Sequence, residues 1–191
     1  MIDLALIAIV SQLNQALRRA FAVSEDVAVL GNILEQDGRM ATGATDKLVV
    51  SLVNIERDTT PYQSQLGASG PQRQPVSAPP VFLTLSVMFA ANFASQNYTE
   101  ALKFIAGTIG FFQSRPMMNP QNTPELDPRI ERLMLDIANL GIAELSNLWG
   151  VLSGKYVPSV LYRVRMVAVD LAQISGQQQP IVDARTRVGG A

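Results

Sequence analysis

The sequence contains no cysteine and no histidine in its 191 residues. Without cysteine, these residues form no disulfide, no zinc–thiolate site and no thiol nucleophile. Without histidine, they lack the commonest general base and the commonest metal-ligating side chain. A Ser-His-Asp catalytic device is therefore excluded, and only carboxylate-based or lysine-based catalysis stays open.

Charged residues are also scarce, at 16% of the chain, and they balance: 15 Lys and Arg against 16 Asp and Glu give a net charge of -1. Basic residues are scattered, and only Arg18 and Arg19 are adjacent. The chain thus lacks the clustered basic face that nucleic acid binding requires. The hydrophobic share of 48% has two explanations, an alanine-rich core or a surface that is buried in an assembly.

The chain has no apolar run long enough for a membrane span. The run at the start, residues 1–10, contains Asp3 and no basic residue. Its apolar stretch of about nine residues is short of the ~20 that a transmembrane helix needs. We therefore expect no targeting segment and no direct membrane insertion.

Hydrophobic periodicity predicts helices and strands along most of the chain. Apolar residues recur at helical spacing in residues 2–21 and 97–113, which predicts two amphipathic helices. Glycines at 107 and 110 in the second helix indicate close packing. Short apolar or alternating runs predict strands at residues 26–32, 47–57, 81–91 and 130–140, with a small hairpin at Asp37–Gly38.

The most informative stretch, residues 144–170, changes from helical to strand periodicity. Its helical repeat consists of Ile142, Leu145, Leu148, Trp149 and Leu152. Gly154 suits the C-cap of this helix, and Pro158 suits the start of a strand. From Val160 to Ala168 every second residue is apolar, which places Arg163 and Arg165 together on the other face. We expect Trp149 to anchor the helix against the sheet, because large aromatic residues dominate core packing.

Three segments show no periodicity: residues 58–80, residues 115–129 and the polar tail 173–191. Long irregular connections in a compact domain are usually binding loops, arms or disordered segments, and a polar tail is either disordered or ordered on a partner. The element order predicts a single α+β domain over 1–172, with a mixed or antiparallel sheet of about four to six strands flanked by three helices. The two loops would act as arms of this domain, and 173–191 as its C-terminal tail.

No motif in the sequence indicates catalysis. Gly67 to Gly70 lacks the lysine and the strand-to-helix context of a phosphate-binding loop. The carboxylates of Glu125, Asp127 and Asp136 are dispersed, whereas catalytic groups cluster in a pocket. We therefore predict no catalytic, cofactor-binding or metal-binding residues, and no enzyme activity.

Two motifs resemble the signature of the cap, or tail-terminator, proteins of phage-tail-like contractile injection systems. One is Leu148-Trp149, Gly154-Lys155-Tyr156 and the run from Pro158 to Arg165; the other is Tyr98–Leu102 with Phe111–Pro116. The helix, strand and proline-rich loop order of the first half is similar too, so the resemblance spans roughly residues 3–172. One departure is Arg115, where a histidine is expected before the proline.

The resemblance implies a structural protein that forms a homo-hexameric ring on the distal end of the inner tube and closes both tube and sheath. It implies inner-tube and sheath proteins as partners, no cofactor, and no nucleic acid. It also implies assembly in the cytoplasm, as part of a particle that is later released or membrane-anchored. Two alternatives remain: another ring or adaptor of the same particle, at the tube or baseplate, or a small-molecule-binding domain or carboxylate-based enzyme.

Arginines of the predicted strand and of the irregular segments are the candidate contact residues. Arg163 and Arg165 fit either a solvated sheet face or an ion-paired contact with another subunit, for which arginine is better suited than lysine. The further interface candidates lie in the two arms and the tail: Tyr62, Arg73, Arg115, Arg185 and Arg187.

Overall fold

Six of the eight strands in the described part of the chain form one mixed sheet. The structure, a computed structural model, describes residues 1–35, 37–58, 75–77, 81–152, 155–168 and 174–177. The elements in chain order are α1 (Ile2–Phe21), β1 (Ala28–Leu30), β2 (Lys47–Arg57), β3 (Pro75–Ser77), β4 (Val81–Asn92), a 3-10 turn (Ser95–Asn97), α2 (Tyr98–Ser114), β5 (Met117–Met118), β6 (Ile130–Ile137), α3 (Ile142–Val151), β7 (Ser159–Ala168) and β8 (Ile174–Gln177).

The strand order in this sheet is β1-β2-β4-β7-β6-β5. β1 runs parallel to β2, and every other neighbouring pair is antiparallel. The predicted α+β class, the mixed sheet and the three flanking helices are confirmed. The predicted strands at 26–32 and 130–140 are shorter than expected, since pairing ends at Leu30 and Ile137.

Helices α1 and α2 cover one face of the sheet, which we call the inner face. Alternate residues of β2, β4, β6 and β7 point into this core, as their periodicity predicts. At its centre the ring of Tyr162 packs against Phe89 and Phe112, with ring centroids 5.5 and 5.0 Å away. The fully buried members from the sheet include Leu48, Val50, Leu85, Val87, Phe89, Leu133 and Val164.

A buried asparagine, which the periodicity did not single out, attaches α1 to the edge strand β1. Asn14 donates from Nδ2 to the carbonyl oxygen of Ala28 and accepts from the Ala28 N–H, both at 2.8 Å. These bonds satisfy the backbone groups that an edge strand leaves unpaired. The side chain therefore replaces a neighbouring strand at this position.

Of the two glycines in α2, only Gly107 marks a close contact between helices. A Cβ at Gly107 would lie 2.7 Å from Cε2 of Phe21 in α1, whereas a Cβ at Gly110 would meet nothing within 4 Å. The Phe21 ring in turn packs edge-on against Phe104, at 5.3 Å. The prediction of close packing is thus right for one glycine and wrong for the other.

Helix α3 covers part of the opposite face, which we call the outer face. Trp149 is 4% exposed and packs with Met88 and Ala90 of β4, so its predicted role as an anchor is confirmed. Ile142, which shares its helical spacing, is instead 89% exposed. It lies in the first turn, beyond the part of the helix that meets the sheet. Gly154, predicted as the C-cap, lies outside the described residues.

The predicted irregular segments differ in how they are built. Strands β3 and β8, in segment 58–80 and in the tail, pair with each other in a separate two-stranded antiparallel sheet; residues 59–74, 78–80 and 178–191 lie outside the description. Segment 115–129 is packed on the domain, because Glu125 accepts hydrogen bonds from Ser11 at 2.7 Å and Gln15 at 3.1 Å. The small hairpin is also present, with a bridge between Leu34 and Met40.

Candidate assembly surface

The part of the outer face beyond α3 includes two cross-strand rows that contain the predicted arginines. Directly paired residues of an antiparallel sheet share a face and lie about 5 Å apart. The first row is Asn54, Ser86, Arg163 and Asp136; the second is Glu56, Thr84, Arg165, Met134 and Met117. The structure thus brings the two predicted arginines together at the centre of one open, polar surface.

Both arginines are exposed and only weakly engaged within the chain. Nε of Arg165 lies 3.9 Å from Oδ2 of Asp58, and the Arg165 side chain keeps 44% of its exposure. The Asp58 side chain is only 15% exposed, but 3.9 Å is near the upper limit for an ion pair. Arg163 faces Asp136 across the sheet but forms no ion pair with any residue that the structure describes. Both guanidinium groups are therefore accessible to a partner, although Arg165 already lies near the carboxylate of Asp58.

Two methionines extend the second row to the edge of the sheet. Met134 is 36% exposed and Met117 is 41% exposed, and they pair directly across β6 and β5. Arginine and methionine are enriched at protein–protein interfaces, where flexible apolar side chains adapt to a partner. This composition favours a protein contact over a merely solvated face.

Helix α3 and the turn after it add apolar surface to the same side of the molecule. Ile142, Val151 and Tyr156 are 89%, 82% and 62% exposed, and no other large hydrophobic side chain with described exposure reaches these values. Contiguous apolar patches mark interaction sites, and these three side chains lie on the side of the molecule that carries α3. We therefore take the outer side, with its two rows and α3, as the candidate assembly surface.

The buried polar groups near this surface have structural roles. Burial raises the pKa of Tyr162 to about 12, and neither its hydroxyl nor Nε1 of Trp149 has a hydrogen-bond partner among the described residues. A phenol with a raised pKa stays protonated and is a poor general base near neutral pH. Both side chains act as packing groups on opposite faces of the sheet.

The carboxylates of Glu125, Asp127 and Asp136 lie in different parts of the fold. The Arg129 guanidinium, which donates twice to Asp127 at 2.9 Å, lowers the pKa of that carboxyl to about 2. Glu125 holds segment 115–129 against α1, and Asp136 lies in the first row of the outer face. Among the described residues, no three metal-ligating side chains come together.

Of the five remaining interface candidates, the structure describes only Arg115. Arg115 is exposed at the C-terminal end of α2, where its N–H donates to the carbonyl of Phe111. Tyr62, Arg73, Arg185 and Arg187 lie outside the described residues. For all seven candidates a role in assembly stays a prediction.

Comparison with known proteins identifies the family. A model of the family described as Pvc16 N-terminal domain matches residues 7–183. The chain belongs to this family. The resemblance to cap, or tail-terminator, proteins of contractile injection systems is thereby confirmed.

Solved structures show the same fold. One match is the sheath/tube terminator of the extracellular contractile injection system PVC in the extended state, with a TM-score of 0.62 and 15% identity over 100% of this chain. Another is the tube-terminating cap of the anti-feeding prophage, with a TM-score of 0.56 and 13% identity over 93% of this chain. The chain corresponds to 64% and 59% of the length of these two proteins. A search of curated proteins finds no match.

No helix in the described part of the chain is long and apolar enough to cross a bilayer. The longest, α1, has 20 residues but buries one stripe in the core. Its exposed side includes Asp3, Arg18 and Arg19. This helix is therefore a packed element of the domain.

Proposed function

We propose that this protein is the cap that terminates the inner tube and the sheath of a contractile injection particle. The observation that supports this most directly is the fold match over the whole chain to a sheath/tube terminator, at a TM-score of 0.62. Membership of the Pvc16 N-terminal domain family points the same way. In this proposal the chain forms a homo-hexameric ring, contacts both tube and sheath, and is a structural protein rather than an enzyme.

The surface of the domain suits such a ring. A closed ring requires a heterologous contact, in which one patch of a subunit meets a different patch of the next. The outer face supplies one patch, with two available guanidinium groups and two exposed methionines. Segment 115–129 is hydrogen-bonded to α1 through Glu125, and we propose it, with 58–80 and 173–191, as a contact to tube or sheath.

We place assembly of the ring in the cytoplasm of the producing cell, before the particle is released or anchored. One of the matched structures comes from an extracellular particle, which is consistent with release. Immunogold labelling of a tagged chain would show whether the protein lies at the end of the particle. Labelling at the baseplate end would favour the alternative role of a ring or adaptor.

Deletion of the gene tests the cap function. A cap that stops polymerisation limits tube and sheath length, so the deletion strain should yield particles of variable and mostly excessive length, or naked tubes. Electron microscopy of purified particles gives the length distribution, and the wild-type gene supplied in trans should restore it. Sheathed particles of normal, uniform length from the deletion strain would refute the proposal.

A further inference from the structure

We propose that the outer face receives the 33–40 hairpin of a second copy of this chain, with Glu35 and Asp37 of that copy meeting Arg163 and Arg165. The inference rests on the proposed ring and specifies its subunit contact. It follows from the charges, the exposed apolar groups and the positions of these two surfaces in the fold.

The hairpin projects an acidic tip with apolar flanks. Its backbone closes through the Leu34–Met40 bridge and a 2.8 Å bond from the Glu35 N–H to the carbonyl of Arg39. Gly38 occupies the left-handed turn position, at φ 79°, which glycine adopts without strain. Glu35 is exposed and has no ion-pair partner among the described residues. Its carboxylate is therefore available for an intermolecular contact.

Among the described residues, Asp37 is engaged only within the hairpin, where its Oδ1 accepts a hydrogen bond from the Arg39 N–H at 2.9 Å. Its Oδ2 lies 3.4 Å from Nε of Arg39, and the two side chains are 55% and 86% exposed. An ion pair that is so exposed contributes little to the stability of the fold. Asp37 therefore loses little free energy when it leaves Arg39 and pairs with a less exposed arginine of another subunit.

The hairpin cannot reach the arginines of its own chain. It follows β1, the edge strand, which lies three strands from β7, or roughly 14 Å at the usual strand spacing. Sδ of Met40 lies 3.1 Å from Nδ2 of Asn92, at the end of β4. Arg163 pairs with Ser86 of the same strand, about 20 Å from Asn92 along the strand direction. The two surfaces therefore meet only between copies.

Their chemistry is complementary. Carboxylates and guanidinium groups form charge-assisted hydrogen bonds, and Leu30 and Met40, 42% and 49% exposed, flank the acidic tip as Met117 and Met134 flank the arginines. Because the hairpin and the methionine end of the outer face belong to opposite edges of the sheet, the contact is heterologous. A heterologous contact builds a closed ring when the rotation between neighbouring subunits closes on itself.

Reciprocal charge reversal in the full chain tests this contact. Arg163→Glu with Arg165→Glu, and separately Glu35→Arg with Asp37→Arg, should each weaken self-association at least about tenfold. All four changes together should restore it, because opposite charges again face each other. Arg19→Glu, at an exposed position of α1, is the matched control and should associate normally. Analytical ultracentrifugation at low and high salt gives the association constants.

Each outcome decides the matter. Weakening by both double changes with recovery in the combined variant supports the contact. A monomeric wild type, unchanged association of either double variant, or failure of the combined variant to recover overturns it. Arg163→Gln with Arg165→Gln, which introduces no repulsion, should weaken association less and serves if the Glu variant loses its circular dichroism signal. Particle length in the deletion strain tests the cap function independently, so failure of one proposal does not imply failure of the other.

Discussion

Replacement of Trp149 by alanine should destabilise the protein strongly, because this residue attaches α3 to the sheet. A fully buried tryptophan removes about 250 Å² from water, worth roughly 6 kcal/mol at 25 cal/mol per Å². Trp149 is 4% exposed, but its buried Nε1 has no acceptor in the described part of the chain, which costs about 1–3 kcal/mol. The difference predicts a loss of about 3–5 kcal/mol of unfolding free energy, in line with other large-to-small core changes.

Urea unfolding followed by far-ultraviolet circular dichroism measures this loss. Trp149 is the only tryptophan, so the wild type should also show blue-shifted emission that moves to the red on unfolding. Ile142→Ala, on the same helix but at an 89% exposed position, is the control and should change stability by less than about 0.5 kcal/mol. A Trp149→Ala variant that unfolds within about 1 kcal/mol of the wild type would refute the reasoning.

Three further predictions concern other parts of the fold. Asn14→Ala should lower the unfolding free energy by about 2–4 kcal/mol in urea titrations, because it leaves an N–H and a C=O of β1 without their 2.8 Å partners. Gly110→Ala should raise stability by about 0.5–1 kcal/mol through helix propensity, whereas Gly107→Ala should lower it, since its Cβ would lie 2.7 Å from the Phe21 ring. Because the pKa of Asp127 falls from 3.8 to about 2 on folding, its stabilising effect is present above pH 4 and is lost as the pH falls towards 2; Asp127→Asn should flatten that acid limb in pH-dependent thermal melts.

Matched outcomes would contradict each of these. Asn54 is exposed in the wild type, so Asn54→Ala is the control for Asn14→Ala. Equal stability of the two variants would mean that water forms hydrogen bonds with the Ala28 N–H and C=O when Asn14 is removed. Equal effects of the two glycine changes would mean that the α1–α2 contact relaxes freely. An acid limb that is unchanged by Asp127→Asn would mean that the Arg129 hydrogen bonds do not persist in solution.

Sequence periodicity by itself determined the helices, the main strands and the two faces of each strand. Side chains repeat every 3.6 residues in a helix and every two in a strand, so local order already separates Val164 from Arg163 and Arg165. The same local pattern placed Trp149 on the apolar face of a helix, which has to pack against another element to be buried. The family, too, was recognisable from sequence, because its motifs lie in these regular elements.

Only the tertiary structure decided what the two arginines face and which surfaces remain open. Strand order, the cross-strand rows of the outer face and the position of α3 depend on pairing between distant residues, which local periodicity does not encode. Asn14 was overlooked because a single polar residue in an apolar stripe does not indicate a role by itself. Its role is clear only when its hydrogen-bond partners on β1 are known. Ile142 was expected to pack because its spacing is right, but α3 is too short and too far along the sheet to bury its first turn. The pattern of side chains thus determines which face of an element is buried. Long-range packing determines which other element covers that face.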